Sequence, residues 1–343
     1  MDHFKAEVAV YGAYGHTGRF VVAELAERGY APRHVGRDTA KLPAGGWQAA
    51  VDDPAALDRA LEGAAAVINT AGPFATTAAP LIGAALRAGI PYVDVAAEIE
   101  ANRDTFSHFE ERAGRTSVVP AMAFFGGLGD LLVTTAMGDW TTAGEVHVAY
   151  GLSSWHPTAG TRLAGAVSGE RRGGRRVRYS GGRLQYHTDT LTVVEWPFPA
   201  PLGPRDVIGE FTMADVVTVP SHLAVPEVRT YMTTTAAADL AAPGTPAPAA
   251  VDARGRSAQT FMVDVVVRSG TEERRITATG QDIYAISAPL AVEAVDRILT
   301  GRVRTTGVAS AGAAFDAPDF LRALSPHLSV HAPAGFALTA RQP

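Results

Sequence analysis

The sequence has no cysteine, which excludes disulfides, thiolate metal centres, iron–sulfur clusters and a cysteine nucleophile in one step. Lysine is nearly absent as well: Lys5 and Lys41 are the only two, and the other 28 of the 30 basic residues are arginine. A buried catalytic lysine would have to be one of that pair. No long run reads as a membrane helix, because the most apolar one, Val118 to Met137, carries Asp130 and the glycines Gly126, Gly127 and Gly129. There is no apolar leader either; strand-like residues begin by Glu7, which points to a soluble, cytoplasmic protein with no membrane partner. An excess of positive charge is also missing. The net charge of −5 argues against nucleic acid and anionic lipid as partners.

What is present is a chain of 343 residues with 47% hydrophobic and 19% charged residues, so it folds, and at about 150 residues per domain it holds about two. The first 125 residues alternate short apolar runs with amphipathic stretches. Glu7–Tyr11, Arg33–Val35, Gln48–Val51, Ala65–Asn69, Tyr92–Val95 and Ser117–Ala121 read as strands. Thr17–Arg28 and Thr77–Ala88 read as helices, with Val21 and Leu25 on one apolar face and Leu81, Ile82, Ala85 and Leu86 on the other; Phe106, Phe109 and Ala113 mark a third. This alternation predicts an α/β fold with a Rossmann doubly wound parallel sheet over residues 1–125. After Gly138 the rhythm changes. Glu145–Tyr150, Val177–Tyr179, Leu184–His187, Leu191–Trp196, Thr260–Arg268 and Arg274–Thr279 follow one another without regular helices, so residues 126–282 read as a second, mostly antiparallel α+β domain with one helix near Gly160–Val167. Ala241–Ala250, rich in proline and alanine, reads as a flexible connection. Residues 283–343 return to helix, with Leu290, Val292, Val295 and Ile298 on an apolar face, and are expected to pack back on the first domain.

The strongest motif is Gly12-Ala-Tyr-Gly15-His-Thr-Gly18, placed directly after the first strand and opening the first helix. Glycines there let the backbone approach a pyrophosphate, and the helix N-terminus supplies amide donors and a positive dipole end. Gly12, Tyr14, Gly15, His16, Thr17 and Gly18 are therefore candidate dinucleotide contacts. At the end of the second strand the sequence offers Gly36-Arg37-Asp38. Arg37 suits a 2′-phosphate and favours NADP, whereas Asp38 turned inward would favour NAD. Asp52, ending the third strand, lies near the expected adenine, while Asp53-Pro54 has the form of a helix cap. Asn69, Ala71, Gly72, Pro73 and Phe74 end the fourth strand, where small residues permit contact with the nicotinamide ribose.

With these residues in view, the chain resembles the saccharopine dehydrogenase-like family of NADP-dependent oxidoreductases. The resemblance rests on Gly12 to Arg19, Gly36-Arg37-Asp38, Val67 to Phe74, Ala88 to Asp94 with Glu98, and the glycine-rich turn ending at Asp130. Gly160-Thr161 and the stretch from Gly280 to Ala288 match more weakly. The resemblance implies a mixed-sheet second domain used for dimer contacts. It also implies hydride transfer on amino-acid imines and secondary amines, or on carbon–carbon double bonds. The chain departs from the family where Pro-Ser-Asp is usual, carrying Leu128-Gly129-Asp130, and it has no counterpart of the acid/base lysine found in some members.

A reductase usually needs a proton donor beside the hydride. Glu98, just past the fifth strand, sits at the carboxyl edge where doubly wound enzymes place their ligands, and His156 and Tyr284 are positioned to reach in from the second domain. Arg162 or Arg229 would suit a substrate carboxylate. No histidine pair has zinc-type spacing, so no metal is expected. Five arginines between Arg171 and Arg178 read as a solvated hairpin. The expected protein is an NADP-dependent reductase of a small molecule and a homodimer through open sheet edges. The alternative is a protein that senses NADP(H) by binding it without turnover.

Overall fold

The computed structural model describes residues 5–332; the outer ends of the expected first and last segments, residues 1–4 and 333–343, lie outside it. β1 (Glu7–Tyr11) runs into α1 (His16–Glu27), then β2 (Ala31–Gly36) and the short β3 (Trp47–Gln48). α2 (Pro54–Leu61), β4 (Ala66–Asn69), α3 (Phe74–Ala88), β5 (Tyr92–Asp94), α4 (Ile99–Ala113) and β6 (Val118–Val119) complete this half. The six strands are parallel in the order β3-β2-β1-β4-β5-β6. β1 and β4 are covered on both faces, which is why Val8–Val10 and Ala66–Ile68 are unbroken apolar runs at 0% exposure. The strand order reverses between β1 and β4, so a crevice forms outside their carboxyl ends.

The second half begins with α5 (Gly129–Met137), β7 (Glu145–Leu152) and α6 (Ala159–Arg171). A hairpin of β8 (Arg176–Ser180) and β9 (Arg183–His187) follows, then β10 (Val193–Trp196), β11 (Arg205–Gly209), α7 (Asp215–Thr218), β12 (Val228–Thr233) and α8 (Thr234–Ala241). The long strands β13 (Thr260–Ser269) and β14 (Glu272–Gln281) precede α9 (Ser287–Leu299), α10 (Ala311–Ala314), α11 (Ala317–Ala323) and β15 (Leu328–His331). Nine strands form one sheet whose main path is β10-β11-β12-β7-β13-β14-β15, with β8–β9 branching from β12. It is antiparallel as expected, except that β12 runs parallel to β7. β11, β12 and β15 had no clear sequence signal. They are short, and β12 interleaves the exposed Arg229 with buried positions, so their neighbours decide their conformation.

The final segment serves both halves rather than the first alone. α9 docks on α1, and the loop after α1 ties to it through Arg28 Nη1 to Glu293 at 2.5 Å and the Tyr30 hydroxyl donating to Asp296 at 2.6 Å. α11 instead packs on α5, and β15 pairs with β14 at the edge of the second sheet. Ala241–Ala250 is tied down: Arg162 donates to the carbonyls of Ala242 (3.2 Å) and Thr245 (3.0 Å).

α7 carries a buried carboxylate against the glycine-rich turn. A Cβ on Gly129 would stand 1.9 Å from Asp215 Oδ1, and the Tyr150 hydroxyl lies 2.9 Å from each Asp215 oxygen. Burial pushes the Asp215 pKa up to about 7. A carboxyl raised on folding stabilises the native state while protonated, so its contribution is present below about pH 4 and is lost as pH rises towards 7. Asp215→Asn is expected to flatten that part of the stability profile, read as urea midpoints from pH 4.5 to 7.5. Parallel profiles for parent and variant would refute it.

Candidate active site

The turn after β1 is held by the Gly12 amide donating to Val35 O and the Gly15 amide donating to Gly12 O, both at 2.8 Å. Gly12 has φ +84, and a Cβ on Gly18 would lie 2.2 Å from the Gly12 carbonyl oxygen, so neither position accepts a side chain. Gly15 caps α1 with no side-chain acceptor, which leaves the first amides of the helix facing outward over the turn. Thr17 is half-buried in the same turn. The His16 ring is edge-on to Phe20 at 5.4 Å and to Tyr284 at 5.2 Å, and its Nε2 is buried with no hydrogen-bond partner. Burial lowers its pKa, favouring the neutral imidazole.

At the end of β2 the Tyr14 ring lies against Gly36, where a Cβ would come within 2.5 Å of it. The Tyr14 hydroxyl accepts the Asp38 amide at 3.3 Å. The Asp38 carboxylate is spent locally: it accepts the Ala40 amide at 3.2 Å and pairs with Lys41 at 3.2 Å. Arg37 is exposed, and its guanidinium meets no carboxylate among the described residues. Asp52 is exposed at the rim, and Asp53 caps α2 by accepting the Ala56 amide at 2.9 Å.

The turn after β4 is rigid for reasons that redefine two expected contacts. Asn69 is fully buried; its Nδ2 donates to Thr77 (3.2 Å) and Tyr92 (3.1 Å), while its Oδ1 accepts the Ala71 amide at 3.0 Å. It shapes the turn and has nothing left to offer a ligand. Glu98, 6% exposed, accepts the amides of Phe74 (2.8 Å) and Ala75 (3.1 Å), so both oxygens cap α3. Burial pushes its pKa up, and those two amides pull it back. Glu98 is thus a positioning residue for the Pro73–Phe74 turn rather than a free acid. Gly72 is unlike Gly12 and Gly18, because the nearest atoms a Cβ there would meet are Ala164 Cβ at 3.6 Å and the Phe74 ring at 3.7 Å, ordinary contacts. Beneath this turn, buried Asp94 accepts the amides of Ala96 (3.0 Å) and Ala121 (2.8 Å) and the Tyr92 hydroxyl (2.8 Å), and burial raises its pKa to about 6.

The second half provides a roof that sequence reasoning only partly located. The Tyr284 hydroxyl accepts Trp155 Nε1 (3.2 Å) and the Thr158 amide (3.3 Å), and lies 2.9 Å from Thr161 Oγ1. His156 joins through its carbonyl, 3.4 Å away, with its ring half-buried. α6 then passes Ala164 over Gly72 and reaches α4, where Ser168 donates to Glu100 at 2.5 Å and Arg171 pairs with Asp104 at 2.6 Å. Tyr284 therefore meets His16, whereas Glu98 meets Phe74. No hydrogen bond joins Glu98 to His156 or Tyr284 among the described residues. A Thr-x-x-Thr cap at 158–161 was the available signal for α6. Both lysines are exposed, Lys5 against Asp296 and Lys41 against Asp38.

Residues 12–117, from the glycine turn to the last strand of the first sheet, match a family model described as NAD(P)H-binding. This half is an NAD(P)H-binding domain. The glycine cradle, the uncapped start of α1 and the orphaned His16 Nε2 fit a nicotinamide dinucleotide. The whole chain has the fold of a saccharopine dehydrogenase: it aligns with the apo histidine-tagged, L-Glu forming enzyme from Saccharomyces cerevisiae at a TM-score of 0.62, covering 96% of this chain and 100% of that one at 11% identity. It is also 29% identical over 124 residues to a trans-acting enoyl reductase from Mycobacterium ulcerans (strain Agy99). That match spans 32% of this chain and 30% of the relative's length.

Glu98→Gln replaces one acceptor with an NH2 group facing an amide N–H. The expected cost is about 1–3 kcal/mol of stability, measured by urea unfolding. A variant as stable as the parent would return this carboxylate to the list of free acids.

Proposed function

We propose that the protein is an NADP-dependent oxidoreductase that reduces a small organic substrate at C=N or at an activated C=C bond. The observation that carries the cofactor choice is the contrast at the end of β2: Asp38 is engaged with Ala40 and Lys41, while the Arg37 guanidinium is exposed without a carboxylate partner among the described residues. That arrangement supports pairing of Arg37 with a 2′-phosphate. Bound NADPH supplies the hydride to the electrophilic carbon, and the proton added to the nitrogen or neighbouring carbon comes from the protein or water. The crevice beside Gly72 lies outside the carboxyl ends of β4 to β6, and α6 over it limits water. With both Glu98 oxygens committed and the Tyr284 hydroxyl held by Trp155, Thr158 and Thr161, the His156 ring is the group this reading assigns to proton delivery, and Tyr284 orients its loop. The relative's description as an enoyl reductase supports the C=C option, and the saccharopine dehydrogenase fold supports C=N. No described helix is long and apolar enough to cross a membrane, and a cytoplasmic location belongs to this reading.

Titration should show NADPH binding about tenfold or more tighter than NADH, and Arg37→Ala should erase most of the difference, as expected for one charge-assisted contact. Equal affinities in the parent would remove Arg37 from this role.

NADPH oxidation over a panel of imines, ketones and enoyl compounds tests turnover. Gly72→Val, whose Cβ meets only ordinary contacts, should weaken NADPH binding or abolish the rate. A folded Gly72→Val protein with unchanged affinity and rate would place the reaction elsewhere. The second reading, a sensor that binds NADP(H) without turnover, is favoured by the commitment of Glu98 and the exposure of both lysines. Binding with no oxidation on any panel member would support it.

We also propose a homodimer through the second sheet. β10 is one of its edge strands, and Leu191 just before it and Val193 and Val194 within it are 54%, 55% and 39% exposed. Light scattering at micromolar concentration should give twice the chain mass; the mass of one chain would defeat the proposal.

A further inference from the structure

The β8–β9 hairpin joins the second sheet by one residue pair, Val228 with Tyr179. Its far end brings three metal-ligating side chains together. His187 closes β9, Asp189 follows two residues later, and Glu210 stands directly after β11; one ligand atom from each lies within 4.8 Å of the others. His187 is 8% exposed, and neither ring nitrogen has a hydrogen-bond partner. Nδ1 stands 3.3 Å from an Asp189 oxygen and Nε2 stands 3.5 Å from a Glu210 oxygen. A buried imidazole with two unsatisfied nitrogens, aimed between two carboxylates, is costly unless something binds there.

Arg178 supplies part of the answer. Its Nη1 lies 2.9 Å from Asp189 and 3.2 Å from Glu210, so one cation already bridges the carboxylates. Its Nε donates to Gln185 at 3.1 Å, and neither imidazole nitrogen makes a hydrogen bond to the carboxylates it faces. We propose that His187, Asp189 and Glu210 form a site for a divalent transition metal of the zinc type, and that Arg178 is the counter-ion which the metal displaces. One imidazole nitrogen and two carboxylate oxygens, completed by water, is a donor set that zinc accepts, and an imidazole ligand disfavours magnesium and calcium. Zinc bonds of about 2.0–2.1 Å put neighbouring ligands roughly 3.3 Å apart, so atoms now within 4.8 Å of one another need close by at most about 1.5 Å. The second imidazole nitrogen would then donate to a carboxylate oxygen, the usual way such a ring is oriented. A cavity of about 290 Å³ beside the cluster, lined by Arg178, Glu210, Glu227 and Arg229 among others, gives room for the displaced guanidinium. The metal would tie the end of β9 to the end of β11, at the end of the hairpin away from the turn that Glu227 holds, and would add to the anchorage that buried Val177 gives.

Sequence spacing concealed this cluster, because its members come from a strand end, a loop and a turn that meet only in the folded sheet. The test is calorimetric titration of tag-free, chelator-stripped full-length protein with ZnCl2 at pH 7.5, with MgCl2 as control. One equivalent of zinc should bind and magnesium should not. Asp189→Asn, an exposed and conservative change, should weaken zinc about tenfold or more, and Arg178→Gln should tighten it by a similar factor because the competing cation is gone. Zinc should also slow proteolysis of the 176–190 hairpin in the parent but not in Asp189→Asn, with NADPH affinity unchanged as the control for folding. No zinc binding by the parent, equal binding by Asp189→Asn and the parent, or weaker binding by Arg178→Gln would each overturn the proposal. Any of these results leaves the NADP reading untouched.

Discussion

α1 leaves β1 so tightly that the Gly12 carbonyl fills the space a Cβ at residue 18 would need. This contact places the uncapped start of the helix directly over the turn, where its amides and dipole are free to favour an anion. It also brings the turn after β4 into register, since a Cβ on Gly12 would lie 2.9 Å from Ala71. The rest of the carboxyl edge is built to hold that second turn still. Asn69 fixes its inner side, Thr77 donates from α3 to the Ala71 carbonyl at 2.6 Å, and Glu98 clamps the first amides of α3. The crevice is therefore a set of backbone surfaces held in place by buried side chains.

The two sheets are joined across this crevice from both ends. α6 is anchored to α4 by Ser168 and Arg171 and to the phosphate turn by the Tyr284 network, so it spans the carboxyl edge like a fixed beam. On the opposite side, α9 locks to α1 through Arg28 and Glu293, and Arg297, 1% exposed, pairs with Glu293 at 2.7 Å. Ion pairs buried this deeply are weak sources of net stability, but removing one partner is costly, so they hold the two elements in one relative position.

Arginine supplies almost all the positive charge, and most of it is paired. Within the run of five arginines between Arg171 and Arg178, Arg171 meets Asp104, Arg172 approaches Glu100 at 3.8 Å, and Arg178 bridges two carboxylates. Exposed guanidinium groups without a carboxylate also occur at Arg19, Arg59, Arg112, Arg115 and Arg183 among the described residues, so it is the place of Arg37 just after β2 that makes it informative.

The parallel sheet was legible in the sequence because strands buried on both faces must be continuous apolar runs, and helices over them must carry a 3.6-residue stripe. The glycine turn was legible for the same kind of reason: a steric demand that one residue type meets leaves its mark at fixed spacing. The roles of Glu98, Asn69 and Tyr284 were not. Each was placed near the crevice by its position after a strand, yet what its polar atoms bind depends on amides and side chains from other elements. The same holds for β12, which runs parallel to β7 across an intervening helix, hairpin and edge strands, and for His187, Asp189 and Glu210. Local sequence determines what each segment is; which charges and hydrogen-bonding groups end up within 3 Å of one another is decided when the segments pack.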